Sequence, residues 1–95
     1  MKTFERLFKE GKFFEAHEYL EAVWLGASSG EKSFYQGLIQ VAVAMHHDQN
    51  KNSVGAQTCC QRAQKKLVGV RRRKIPDYIV EAMGYLKSRE GKIVS

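Results

Sequence analysis

Very little in this sequence would interrupt a helix. Among 95 residues there is one proline, Pro76, and no Asn-Gly or Asp-Gly step of the kind that turns a β-hairpin. Strand-like alternation never persists, and no low-complexity tract breaks the chain, so an all-α fold is expected. The longest apolar run, Val41 to Met45, falls far short of the ~20 residues of a membrane-spanning helix. The two cysteines, Cys59 and Cys60, are neighbours, which excludes an ordinary disulfide framework, and no C-x-x-C pair offers a thiolate zinc site. Met1 is followed by no charged-then-apolar leader, and reduced thiols in a cytoplasmic protein are the expectation. Also missing are a phosphate-binding loop, a glycine-rich cofactor fingerprint and a nucleophile with its own base, so an enzyme would lack several usual parts.

Negative charge is scarce in one region only. Residues 1–61 carry 6 basic and 7 acidic side chains, whereas residues 62–95 carry 10 basic and 3 acidic ones. The run Arg71-Arg72-Arg73-Lys74 heads this excess. With no aromatic side chain interleaved, it suits weak, sequence-blind contact with a nucleic-acid backbone, or simply a solvated face.

Periodicity predicts four to five helices packed around a central apolar one. Phe4, Leu7 and Phe8 recur at helical spacing up to Gly11, and a second helix follows from about Lys12 to Leu25, ended by Gly26. Ser28 and Glu31 have capping-box spacing ahead of a third helix reaching about His47 or Gln49. Because Leu38 to Met45 is apolar nearly all round except at Gln40, that helix should be buried all round. Asn52 or Ser53 caps a fourth helix with an inner stripe of Ala56, Cys60, Ala63 and Leu67, small enough for close approach. Pro76 fits the first turn of a fifth, whose inner stripe reads Ile79, Val80, Met83 and Leu86. Residues 1–95 are expected to form one helical domain with a tail that frays from about Gly91. The short turns before the second and fourth helices suggest two stacked helix–turn–helix units of the tetratricopeptide kind. A chain this small gains from self-association, so a homo-oligomer or a protein partner is expected.

One polar constellation stands out. His17, Glu18, Glu21 and Trp24 form an H-E-x-x-E-x-x-W pattern, with His17, Glu21 and Trp24 within one core-facing sector of the second helix. Ionisable groups on such a stripe require partners, for which Tyr35, Gln36, Gln40, His46 and His47 on the central helix are available. Three arrangements meet that requirement. A buried hydrogen-bonded network would fix helix register. A divalent-metal site would use His17 and Glu21 at i, i+4 with His46 or His47 as a third ligand. An acid–base site would use a buried Glu21 beside His17, giving a metal-dependent or carboxylate-based hydrolase.

The stretch Gly11-Lys12-Phe13-Phe14-Glu15-Ala16-His17-Glu18, with Leu20-Glu21 and Trp24, resembles the signature of the domain of unknown function 309 family. So does Phe34 to Ala44 followed by His46, and the likeness extends over about residues 4–68. The resemblance implies a small, helical, prokaryotic protein. It marks His17, Glu18, Glu21, Trp24, Gln36, Gly37 and His46, and favours His46 over His47 as partner of the second-helix pair. Lys51-Asn52 stands where the family often has Gly-Asn, and Arg71 to Lys74 looks individual to this chain. The combined expectation is a non-enzymatic helical module. Its polar pocket near His17, Glu21 and His46, supported by Trp24, Gln36 and Gln40, would take a ligand, a metal or a partner.

Overall fold

The computed structural model describes residues 2–70 and 75–93, with side-chain surroundings through residue 89. Five helices follow one another: α1 (Lys2–Lys9), α2 (Phe13–Leu25), α3 (Ser29–Gln49), α4 (Ser53–Leu67) and α5 (Asp77–Ile93). There is no strand among the described residues, and no described helix is long and apolar enough to cross a membrane. The run Arg71-Arg72-Arg73-Lys74 lies outside the described residues, as do Val94 and Ser95; α5 itself continues past Gly91 to Ile93.

The longest helix, α3, is the hub, packing on α2, α4 and α5. Its Gly37, Leu38, Val41, Ala42 and Ala44 are buried, while Ile39, Val43 and Met45 are half-buried. On α4 the expected stripe of Ala56, Cys60, Ala63 and Leu67 is buried, joined by Cys59. Side chains this small bring α3 and α4 close together. At one end, Phe4, Phe8, Phe13 and Tyr78 form an aromatic cluster that ties α1, α2 and α5, with Phe8 and Phe13 edge-to-face at 4.8 Å. Such contacts add ~0.5–1.5 kcal/mol beyond area burial.

The two turns expected before α2 and α4 have the same design. After α1, Lys12 N–H bonds Leu7 C=O and Gly11 N–H bonds Phe8 C=O, with Gly11 at φ +80°. After α3, Asn52 N–H bonds His47 C=O and Lys51 N–H bonds Asp48 C=O, with Lys51 at φ 59°. Each is a Schellman ending, in which a left-handed residue lets the chain satisfy its last carbonyls. The turns also touch, because Gln49 Nε2 donates to Gly11 C=O at 2.9 Å.

Three local expectations are corrected. Ser28 caps α3 through its carbonyl, which receives Glu31 and Lys32 N–H, while its hydroxyl donates to the Glu31 carboxylate at 3.0 Å instead of capping the backbone. Pro76 stands just before α5 and accepts its first backbone bonds from Ile79 and Val80. The buried row of α5 is Ile79, Ala82 and Leu86, with Val80 and Met83 half-buried beside it. The helix is turned so that small Ala82 faces inward.

Candidate functional site

The face of α2 differs from its sequence reading. Phe13, Ala16 and Leu20 are buried, Tyr19 and Val23 pack against them, and no polar or charged side chain is buried among the described residues. His17, Glu21 and Trp24 therefore flank the apolar stripe and do not sit on it. The Glu21 side chain is 57% exposed, which overturns the buried His17–Glu21 network and the buried Glu21 of an acid–base site. A carboxylate has no reason to enter the core when a small rotation of the helix leaves it in water.

His17 is held from both sides. Its Nδ1 lies 3.0 Å from Phe14 C=O and its Nε2 2.9 Å from Glu21 Oε1. Both neighbours are acceptors, so the ring is positioned by its own helix, one turn to either side. Glu18 is exposed and has no hydrogen bond or ion pair among the described residues.

His46 does not join this pair. Its Nε2 is 3.2 Å from the Asn50 amide nitrogen, which also donates to His46 C=O at 3.0 Å. His47 Nδ1 accepts from the Asn52 amide at 3.2 Å, while the Asn52 carbonyl oxygen caps α4 through Gly55 N–H. Both histidines thus serve the α3–α4 turn. His17 and His46 each pack against Phe14, with ring centroids 5.2 and 5.4 Å away. Among the described residues no three His, Cys, Asp or Glu side chains group closely enough to hold a metal ion, so the His17–Glu21–His46 ligand set is not assembled.

Other members of the constellation do converge. Glu21 and Trp24 of α2, Gln36, Ile39 and Gln40 of α3, and Arg62 and Lys66 of α4 line one cleft of about 300 Å³. Gln36 and Gln40 lie one turn apart, and so do Arg62 and Lys66, so each helix presents two polar groups on one face. Two atoms of these lining residues are anomalous: Trp24 Nε1 and Gln40 Oε1 are closed off from solvent and have no hydrogen-bond partner. Lys32 Nζ stands over the Trp24 ring at 4.7 Å from its centroid.

Arg62 and Lys66 are the two cations of α4 that reach this cleft. Both are exposed, yet they border the α3 contact, each one residue before a member of the buried row Ala63 and Leu67. Cys59, one turn before Arg62, is buried; burial pushes its thiol up, with the Arg62 charge pulling the other way. The legible signal was this second row, 59-62-66, lying alongside the apolar one.

A model of the domain of unknown function 309 family matches residues 1–59, well over half of the chain. The chain is a member of the domain of unknown function 309 family. That span of the family domain carries α1 to α3 and the start of α4, hence Glu21, Trp24, Gln36 and Gln40, whereas Arg62 and Lys66 lie beyond it. Over 46 residues the chain is also 39% identical to the uncharacterized protein YpuF of Bacillus subtilis (strain 168). This match covers 47% of the chain and 26% of YpuF, so it spans about a quarter of that relative. No solved structure matches the chain.

Proposed function

We propose that this family member is a small-ligand-binding module whose site is the cleft between α2, α3 and α4. One observation carries the reading: the orphaned pair Trp24 Nε1 and Gln40 Oε1 in the cleft wall. A buried polar atom without a partner costs ~1–3 kcal/mol, which two apolar side chains would avoid. Groups of this kind are retained where a bound molecule completes them. The volume lies at the lower end of the ~300–1,000 Å³ typical of ligand pockets, which suits a metabolite-sized occupant.

Binding is favoured over catalysis by the composition of the lining. It offers hydrogen-bond donors, amides and two cations, with Glu21 as its one carboxylate. The chain acts as one helical domain in the cytoplasm, a placement supported by two buried, adjacent cysteines, Cys59 and Cys60, whose spacing suits no ordinary disulfide framework.

The test is thermal melting of wild type and Gln40→Met against a panel of metabolite-sized solutes. A solute that raises the wild-type melting temperature in a concentration-dependent way, and not that of the variant, supports the reading. Stabilisation that survives both Gln40→Met and Arg62→Gln would place the ligand elsewhere.

A further inference from the structure

We infer that the ligand of this cleft is a small carboxylic acid bearing a hydroxyl or amino group, the chemistry of an amino or hydroxy acid. The inference rests on the binding reading above and adds the chemical class of the occupant. Arg62 and Lys66 stand at i, i+4 on α4, where two like charges repel each other. Neither has an ion-pair partner among the described residues, and both line the cleft. An anion between them cancels that repulsion and gains charge-assisted hydrogen bonds, with the guanidinium able to grip both oxygens of a carboxylate. Trp24 also lines the cleft, and its unpartnered indole N–H becomes a further donor once the side chains covering it shift.

The same lining limits the charge of the occupant. Glu21, whose Oε1 also meets His17 Nε2, is the one carboxylate of the lining beside two cations, so the lining complements a monoanion. A phosphate dianion would face the Glu21 carboxylate across the same small volume and pay in repulsion. The unpartnered acceptor Gln40 Oε1, together with Glu21, calls for a donor on the ligand, which a hydroxyl or ammonium group provides. Since Trp24 Nε1 and Gln40 Oε1 are closed off from solvent, binding shifts the side chains around them and alters the indole environment.

Trp24 is the single tryptophan of the chain and therefore reports on the site directly. The experiment titrates its fluorescence with the L-amino acids, glycolate, lactate and malate, with their primary amides, and with inorganic phosphate. The expected result is a saturable change with at least one acid, about tenfold weaker binding of the matching amide, and a similar loss in Arg62→Gln. Arg62 is exposed, so that variant should fold and melt as wild type does. An amide that binds as well as its acid overturns the carboxylate and leaves the binding reading standing. Tighter binding of phosphate overturns the monoanion in the same way. No saturable change with any solute overturns both.

Discussion

Leu67 of α4 fills the space that a side chain on Gly37 of α3 would need: a Cβ there would lie 2.6 Å from both Leu67 Cγ and Cδ2. The Cγ is a branch point fixed by the buried position of Leu67, so it cannot swing away as a chain end would. Gly37→Ala should therefore destabilise the protein by ~1–3 kcal/mol through overpacking, although alanine alone would favour a helix by ~1 kcal/mol. In a Leu67→Ala background the same substitution should cost nothing or stabilise. Chemical denaturation of the four proteins in this cycle checks the coupling, and additive effects would dissociate the two residues.

The paired turns predict substitutions of opposite sign. Lys51 is left-handed at φ 59°, a conformation that penalises a Cβ, whereas Gly11 occupies the equivalent place after α1 at φ +80°. Lys51→Gly should stabilise by about 0.5–1 kcal/mol, the relief of strain being partly offset by the greater freedom of glycine when unfolded. Gly11→Ala should destabilise by ~1–2 kcal/mol. At this size 1 kcal/mol corresponds to about 4–8 °C, so thermal melts resolve both.

The layout of helices was legible because each has its own punctuation. Gly11, Gly26, Ser28, Asn52 and Pro76 stand at or beside the observed boundaries, and the apolar run of α3 did mark the hub of the bundle. What periodicity could not deliver was the rotation of α2. His17, Glu21 and Trp24 share a sector with the apolar stripe, and a shift of a few tens of degrees decides whether Glu21 is buried or 57% exposed. That choice belongs to tertiary packing, since solvating a carboxylate outweighs any local preference. His46 was misjudged for a related reason. Its partner is Asn50, four residues ahead in its own turn, and not the histidine of another helix. Trp24, Gln36 and Gln40 were singled out together and do share a cleft, but Arg62 and Lys66 were hidden among ordinary surface cations.

Asp48, in the last turn of α3, fastens α5. Its side chain is 13% exposed, receives the Tyr85 hydroxyl at 2.7 Å and pairs with Arg89 Nε at 2.8 Å, joining α3 to α5. Asp48→Ala should cost about 1–2 kcal/mol, because it removes two hydrogen bonds to a charged acceptor at once, while water takes up the exposed Tyr85 hydroxyl and Arg89 guanidinium. Arg89→Ala, at a position 41% exposed, should cost under ~1 kcal/mol. Equal losses in urea denaturation would show that the ion pair, and not the carboxylate as a shared acceptor, carries the contact.

Alkaline stability should depend on Tyr78. Burial first, and the Glu5 carboxylate second, push its phenol up to about 12 from the ordinary 10.0. Below pH 10 the phenol is protonated in both states and contributes no pH dependence. Between pH 10 and 12 the unfolded chain releases a proton that the folded chain keeps, so rising pH favours unfolding; above pH 12 the loss is complete. Tyr78→Phe should flatten the decline of denaturation midpoint over that interval. A variant that declines as steeply as wild type would assign alkaline unfolding to other groups.

The proposed cleft predicts a substitution that improves stability while abolishing the proposed binding. Gln40 is half-buried with its Oε1 unpartnered, and it lines the cleft together with Ile39 and Trp24. Methionine has nearly the same length and volume and no polar atom that demands a partner of comparable strength. Gln40→Met should therefore raise the stability of the unliganded protein by about 1–2 kcal/mol, the relief of an unsatisfied buried carbonyl. It should also remove the hydrogen bond that a ligand donor would make there. A stabilised variant that no longer responds to solutes is the pattern expected of a residue kept for binding at the expense of stability. A destabilised one would mean that Gln40 already serves the fold, and its orphaned oxygen would no longer support a binding site.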